Sequence, residues 1–470
     1  MDANNTYSPD KFVPVEVTGW IGGERKPARI KMKPEDFRVE ERQSPDLLCT
    51  VTTSSDFDES AAWPSGKPGM VAVTLVKRKL TTKAAVYQLA QRLGVSSNRV
   101  STAGLKDRWA DSSQEVRVEG VHIDDVLRNC CPEKLYGAGW FIKDARPANG
   151  RLNNGQLLSN RFTLNVAVPG MSAAQIEAYI KPRLEQLASR GRLFPNAYGR
   201  QRLGRRQNLY QIGETLMREG VEAGIKRFLT ETAPANEREA ATKLREKLAG
   251  QWYWFQNMKE ILEQPLDRGE PAYHALNMDM EYKIVCRMLQ YGSFSQVMDS
   301  MRDEFSLWVG AYQGYWFNQI LARVIRKEIV LEGESIPLLV FDQHWDPRRH
   351  QFTDEDGEAL SFYRKYCPEA IPDHVDPEVK KLFLTPRKNG RGHVSAPWRR
   401  ALIPVVDLKQ TFDNGFWRPQ FELRSGGYAT TLLGLLFDID QDEEYAASEQ
   451  VRRERPQHQR GNHGHRQGRR

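Results

Sequence analysis

The residues with the clearest chemical potential lie in one loop, around Asp107. This aspartate stands between Lys106 and Arg108, shortly after the small residues Ala103 and Gly104. Neighbouring cations favour the charged form of a carboxylate, which a nucleophile or a charge stabiliser must keep. The small residues allow a bulky partner to approach the backbone closely. Aspartate is also common in turns as a loop cap, so spacing alone leaves a purely structural role open.

A second segment, residues 190–206, holds six arginines and no acidic residue, with Phe194 and Tyr198 between them. Arginines neutralise phosphates and aromatic rings stack on unpaired bases, so this composition favours contact with single-stranded or flipped-out nucleic acid. Six uncompensated arginines also repel one another until an anion arrives. The alternative is a solvated loop between two helices, with Tyr198 packed in the interior.

The formal charge of the 470-residue chain, +7, is the sum of basic and acidic regions. Residues 190–206 and the last twenty residues each carry a net charge of +6, so the rest of the chain is slightly acidic. The final twenty residues contain no apolar side chain beyond Val451. They are predicted to be disordered and to add only salt-sensitive, non-specific affinity for a polyanion.

Several classes of protein are excluded by what the sequence lacks. It contains no apolar run long enough for a transmembrane helix and no signal-peptide pattern at its start. Its five cysteines never form C-x-x-C, which argues against a disulfide framework and a zinc site. Neither a phosphate-binding loop nor a dinucleotide fingerprint is present. We therefore expect a cytoplasmic protein without a metal or cofactor.

Hydrophobic periodicity predicts strands and helices without a regular βαβ repeat. A helix is expected from Thr81 or Thr82 to Gly94, strands on both sides of the Asp107 loop within 99–120, and a strand over 160–168. Helices dominate 172–330, the stretch 331–398 is irregular, and strands return at 401–406 and 418–423 before a helix at 429–437. This order favours an α+β fold with an antiparallel or mixed sheet interrupted by an insertion.

Six segments, in this order, resemble the signature motifs of the TruD family of RNA pseudouridine synthases. The motif A-G-x-K-D-x-x-A-x-T-x-Q is matched at Ala103, Gly104, Lys106, Asp107, Ala110, Ser112 and Gln114, and D-F-x-V-x-E at Asp36, Phe37, Val39 and Glu41. The motif P-N-x-F-G-x-Q-R-F-G is matched at Pro195, Asn196, Gly199, Gln201, Arg202 and Gly204, with Tyr198 and Leu203 for the phenylalanines. Weaker matches begin at Gly155, Tyr312 and Gly426, and Arg424 stands where a proline is usual.

The resemblance implies a pseudouridine-synthase core with a curved, mainly antiparallel sheet and an inserted, family-specific α/β domain. The core would comprise residues 1–219 and 399–440, the inserted domain residues 220–398, and the basic tail residues 441–470. RNA would bind in the cleft between the two domains. A monomer without a membrane association or an obligate protein partner is expected on the same ground.

The resemblance also implies the isomerisation of a uridine in tRNA, at position 13 of the D arm, without a cofactor. Asp107 would be the essential carboxylate, either attacking C1′ or abstracting a C2′ proton. Lys106 or Arg202 would be the cation beside it, Tyr198 would stack on the extruded uracil, and Asn196 would bind the polar edge of the base. Glu41 is interpreted as a structural partner rather than a second catalyst.

Three alternatives remain open. The same isomerisation could act on another RNA, or the chain could be a catalytically idle RNA-binding protein of the same fold. Asp107 and Glu41 could also form the carboxylate pair of a glycoside hydrolase. That third interpretation leaves the arginine-rich segment without a purpose.

Overall fold

A computed structural model describes residues 12–52, 69–130, 139–153, 155–204, 206–266, 269–340, 343–346, 351–354, 358–380, 382 and 398–439. The chain divides into two compact units. Residues 1–20 and 195–402 form one unit, called the helical unit below; residues 21–194 and 403–470 form the other, called the sheet unit. The disorder predicted for the tail falls outside the described residues.

The elements are numbered along the chain. The strands are β1 Pro27–Ala28, β2 Phe37–Ser44, β3 Leu47–Leu48, β4 Gly69–Arg78, β5 Val100–Thr102, β6 Asp111–Val121, β7 Trp140–Pro147, β8 Ser159–Leu164, β9 Val166–Ala167, β10 Leu193–Pro195, β11 Ser335–Pro337, β12 Gln343–Asp346, β13 Gln351–Asp354, β14 Trp398–Arg400, β15 Leu402–Pro404, β16 Val406–Asp413, β17 Phe416–Arg424 and β18 Asp438–Ile439. The helices are α1 Val15–Thr18, α2 Thr82–Arg92, α3 Ile123–Leu127, α4 Ala173–Ser189, α5 Leu209–Glu219, α6 Val221–Thr230, α7 Glu239–Ala249, α8 Phe255–Glu263, α9 Ala272–Ala275, α10 Asp279–Tyr291, α11 Phe294–Ser300, α12 Arg302–Ile325, α13 Glu358–Tyr366, α14 Pro377–Lys380 and α15 Ala429–Leu436.

The sheet unit is built on a ten-stranded sheet in the order β16-β17-β8-β2-β6-β4-β7, with β3, β5 and β9 paired at its side. Its neighbouring strands run antiparallel with the exception of β2 and β6, which are parallel. The predicted α+β class with a mainly antiparallel, mixed sheet is thereby confirmed. The parallel pair places β2 beside the start of β6, directly after the Asp107 loop.

Helix α2 covers one face of this sheet through the apolar stripe that its sequence predicts. Ala85, Leu89 and Ala90 of α2 are buried in a cluster with valines and leucines of β4 and β6. The helix begins where expected, because the Thr81 side chain accepts a hydrogen bond from the Ala84 amide at 3.2 Å. Gly94 follows its end with φ at +67°, a conformation that favours glycine.

The helical unit packs around α12, which spans Arg302–Ile325. Helix α5 lies so close to α12 that a β-carbon on Gly213 would fall 2.2 Å from the Trp308 carbonyl oxygen, so this contact requires glycine. The predicted helical region extends to 330, but α12 ends at Ile325. The stretch 331–398, predicted to be irregular, contains the short elements β11 to β13, α13 and α14.

The chain passes from one compact unit to the other after residues 20, 194 and 402. Residues 195–219 belong to the helical unit because α5 buries Ile212 and Leu216 in the same core as α12. The division into compact units does not test the predicted family domains, whose boundaries at 219 and 398 stay a prediction. In the described part of the chain, no helix is long and apolar enough to cross a membrane.

Candidate active site

The Asp107 carboxylate faces solvent and is held by a buried cation. Its Oδ2 accepts a hydrogen bond from Lys31 Nζ at 3.0 Å. The Lys31 side chain is fully buried, whereas that of Asp107 is 47% exposed. The Lys31 ammonium also lies 4.5 Å from the centre of the Phe37 ring. This arrangement presents an anion outward while its charge is balanced from beneath.

The sequence predicts Lys106 or Arg202 as the cation beside Asp107, whereas the structure has Lys31 at that position. The Lys106 ammonium instead pairs with Glu41 at 2.5 Å, and Arg202 Nε donates to the Gly310 carbonyl at 3.0 Å. Lys31 precedes Asp107 by 76 residues. Nothing in the local pattern Ile-Lys-Met-Lys distinguishes it from Lys33.

Glu41 lies in the interior, beneath the Asp107 loop. Its side chain is fully buried, and the Glu115 amide donates to its Oε1 at 3.2 Å while Lys106 binds Oε2. Burial raises the pKa of the Glu41 carboxyl, and the nearby Lys106 cation opposes this shift. With no exposed surface, Glu41 positions Lys106, the residue next to Asp107, and does not face a substrate.

A second buried lysine, Lys77 on β4, supports the backbone of Asp107. Its Nζ donates to the main-chain carbonyl of Asp107 at 2.7 Å, and Lys77 is 1% exposed. Burial lowers the pKa of Lys77 to about 8, and the nearby Asp107 charge opposes the shift while the Lys106 charge adds to it. Nothing in the sequence distinguishes Lys77 from an ordinary residue near the end of a strand.

Asn196 and Tyr198 lie in the helical unit and have internal partners. Asn196 is 3% exposed, and its side chain bonds the Arg400 carbonyl at 3.1 Å and an Arg399 nitrogen at 2.7 Å. Tyr198 is buried, with the Arg399 guanidinium 4.3 Å and the Arg202 guanidinium 5.1 Å from its ring centre. The roles predicted for Asn196 and Tyr198 toward uracil stay predictions.

Arg206 shows that the arginine-rich segment is partly structural. Its guanidinium is buried and donates to the carbonyls of Phe228 and Glu231, both at 2.8 Å. Since these carbonyls lie at the C-terminal end of α6, the cation is favourably placed for the helix dipole. Burial lowers the pKa of Arg206 to about 10. Arg206 is thus occupied within the fold, although the composition of the segment predicts an arginine available for phosphate.

The predicted site residues therefore fall into two groups. Glu41, Lys106 and Asp107 come together in the sheet unit, whereas Asn196, Tyr198 and Arg202 belong to the helical unit. Among the described residues, no cluster of three or more histidines, cysteines or acidic residues is arranged to bind a metal ion.

Comparison with known proteins supports the resemblance seen in the motifs. The chain is similar to a probable tRNA pseudouridine synthase D 1 from Methanocaldococcus jannaschii, with 25% identity over 410 residues, 86% of this chain and 94% of that protein. It is 30% identical over 228 residues to a tRNA pseudouridine synthase D from Thermus thermophilus, covering 47% of this chain and 54% of that protein.

A solved structure supports the fold. The crystal structure of a putative tRNA pseudouridine synthase D (TruD) from Methanosarcina mazei superposes with a TM-score of 0.54 at 18% identity, covering 91% of this chain and 99% of that one. The sequence model of the family described as tRNA pseudouridine synthase D (TruD) matches residues 22–359. Because that match spans well over half of the chain, the chain belongs to the TruD family of tRNA pseudouridine synthases, which are isomerases.

Proposed function

We propose that this chain converts one uridine of tRNA into pseudouridine, with Asp107 as the essential carboxylate. The observation that carries the proposal is the solvent-facing Asp107 carboxylate, 3.0 Å from the fully buried Lys31 ammonium. An exposed anion with a preformed counter-charge is suited to act repeatedly on a neutral sugar carbon without an external base.

The reaction is an isomerisation in which atoms and electrons balance within the nucleotide. The bond between N1 and C1′ breaks, the uracil turns, and a new bond joins C5 to C1′; the proton of C5 is released and N1 takes up a proton. The carboxylate either attacks C1′ and is later displaced, or removes a proton from C2′ and later returns it. In both cases Asp107 begins and ends the cycle as an anion, and no redox partner is required.

Three of the predicted residues, all in the helical unit, belong to the same proposal as substrate-binding groups. Arg202 contributes a cation, Asn196 an amide for the polar edge of uracil, and Tyr198 an aromatic face. A uracil that stacks on Tyr198 competes with Arg399, whose guanidinium lies 4.3 Å from the ring centre. We therefore expect substrate binding to displace that guanidinium.

Position 13 in the D arm is the target that the family resemblance suggests. A cytoplasmic monomer is the corresponding proposal for location and assembly. Light scattering on the purified protein should give the mass of one 470-residue chain.

Tritium release tests the function. Wild-type protein is expected to release tritium from tRNA labelled at uridine C5, because C5 loses its hydrogen only when it becomes the glycosidic carbon. Release from another RNA but not from tRNA would favour the alternative substrate. Binding of tRNA without release from any RNA would favour the idle RNA-binding protein. Mapping pseudouridine in total RNA from a deletion strain then locates the target.

Lys77 makes a testable contribution to the pH dependence of stability. The pKa of Lys77 is about 8 in the folded chain, compared with its ordinary value of 10.5. Between these two values the unfolded chain holds a proton on Lys77 that the folded chain has lost, so this residue makes the free energy of unfolding rise with pH. Lys77→Met should remove a rise of about 1–3 kcal/mol between pH 8 and pH 10.

Guanidinium unfolding at several pH values measures this effect as the difference between wild type and variant. Lys181→Met, on the exposed side of α4, is the control, and its difference from wild type should stay constant. If the free energy of unfolding of Lys77→Met differs from that of wild type by the same amount at every pH, the lowered pKa of Lys77 is contradicted.

Substitution of Arg206 should change the stability of the protein, whereas substitution of Arg192 should change the salt dependence of tRNA binding. Arg206→Met removes the donor to the half-buried Glu231 carbonyl and one of two donors to the buried Phe228 carbonyl, which keeps its bond from Arg245. We therefore expect a loss of about 1–2 kcal/mol in stability and an unchanged salt dependence of tRNA binding. Arg192 is exposed, and Arg192→Ala should leave stability nearly unchanged. If it contacts a phosphate, the slope of log K against log salt falls by about one. Chemical unfolding and filter binding at several salt concentrations measure both quantities.

A further inference from the structure

Leu105 is an exposed apolar side chain two residues before Asp107, in the same loop. It is 68% exposed, although Ala103 and Ala110 at the two ends of the loop are buried. Single exposed leucines are common on protein surfaces, so exposure alone indicates nothing. The way the loop is held makes this one different.

The backbone on both sides of Leu105 is fixed by one buried polar pair. The Gly104 carbonyl accepts a hydrogen bond from Gln114 Nε2 at 2.9 Å, and the Lys106 amide donates to Thr82 Oγ1 at 3.0 Å. Thr82 and Gln114 are 2% and 1% exposed and are bonded to each other at 3.1 Å. Buried polar groups that satisfy one another in this way hold a backbone rigidly. Leu105 therefore projects into solvent from a loop whose backbone is fixed.

The same loop places Leu105 within reach of the nucleotides beside the reacting one. Two residues of chain span at most roughly 7 Å, so the Cα atoms of Leu105 and Asp107 lie within that distance. The nucleotides on either side of an extruded uridine stay joined to it through the backbone. We therefore expect these neighbours to lie near Leu105 when a uridine is presented to Asp107. The molecule expected to contact Leu105 is therefore the RNA that binds at Asp107.

We propose that Leu105 is a positioning residue that packs against the bases flanking the target uridine once that uridine is extruded. Extrusion costs the stacking of the base, and apolar side chains inserted at base steps are one way in which proteins offset such a cost. Because the backbone around Leu105 is already fixed, only its side-chain rotamers lose freedom when it makes this contact. The inference rests on the proposed function, because it requires a uridine at Asp107.

Two measurements on full-length protein test the proposal. With unmodified tRNA in single-turnover conditions, Leu105→Ala should lower the rate of tritium release roughly tenfold, whereas Leu105→Met, which keeps the side-chain volume, should retain most of it. Leu307→Ala, at a position 57% exposed on α12, is the matched control and should match wild type. The second measurement uses tRNA with 2-aminopurine next to the target uridine, mixed with Asp107→Asn protein so that no product forms. Its fluorescence should rise on binding, and adding Leu105→Ala should reduce that rise.

Two results would overturn the proposal. An unchanged rate for Leu105→Ala would show that the side chain does not assist extrusion. A lower rate with an undiminished fluorescence change would show that Leu105 affects the chemical step or the loop. Failure of the wild-type protein to release tritium from tRNA would instead remove the proposed function, so the two failures are distinguishable.

Discussion

Asp107→Asn should lower the rate of pseudouridine formation by at least about 10³-fold while the protein still folds and binds tRNA. Asparagine has nearly the same shape as aspartate, and its side-chain oxygen can still accept the hydrogen bond from Lys31 Nζ, which spans 3.0 Å in the wild type. The amide can neither attack C1′ nor take a proton from C2′. The expected loss is therefore in the chemical step rather than in binding.

Single-turnover tritium release and filter binding on the same preparation separate these two quantities. Asp125→Asn is the control, because Asp125 is an exposed carboxylate on α3 that pairs with Arg128 at the surface. It should match wild type in both assays. Release at the wild-type rate by Asp107→Asn would remove Asp107 from its proposed role and direct attention to another carboxylate of the sheet unit.

The sequence was sufficient to identify the loop that carries Asp107, because the residues that build it are contiguous. Ala103, Gly104 and Lys106 precede Asp107 directly, and alternating residues predict the strands on both sides. An α+β fold with an antiparallel or mixed sheet could also be predicted, since the strand and helix signals show no regular βαβ repeat. Periodicity reports local geometry, and these features are local.

The counter-charge of Asp107 could not be predicted, because it is set by contacts between distant segments. Lys31 lies before β2, and β2 meets the start of β6 through a parallel pairing that local patterns do not reveal. Lys106, adjacent in sequence, instead binds Glu41 in the interior. Arg206 likewise could not be assigned from the sequence. Composition does not distinguish an arginine that is free to bind phosphate from one that binds the carbonyls at the end of a helix.

Lys31→Met should lower the single-turnover rate by about 10²–10³-fold without destabilising the fold. Methionine keeps an apolar stem of similar length beside Phe37 but removes the cation that lies 3.0 Å from the Asp107 carboxylate. Loss of one preorganised charge-stabilising group at a reaction centre typically has an effect of this size. Because Lys31 is fully buried and Asp107 is about half exposed, the variant removes a desolvated charge and leaves the carboxylate in contact with water. The free energy of unfolding is therefore expected to stay constant or to rise.

The combination of lower activity with undiminished stability is what distinguishes a catalytic counter-charge from a structural ion pair. Lys33→Met is the matched control, since Lys33 is an exposed lysine two residues away, and it should keep both the rate and the stability of wild type. Lys31→Arg, which keeps the charge in a larger head group, should fall between wild type and Lys31→Met. If Lys31→Met unfolds more easily in guanidinium and retains its rate per folded molecule, the ion pair serves the fold, and the charge balance proposed for Asp107 is wrong.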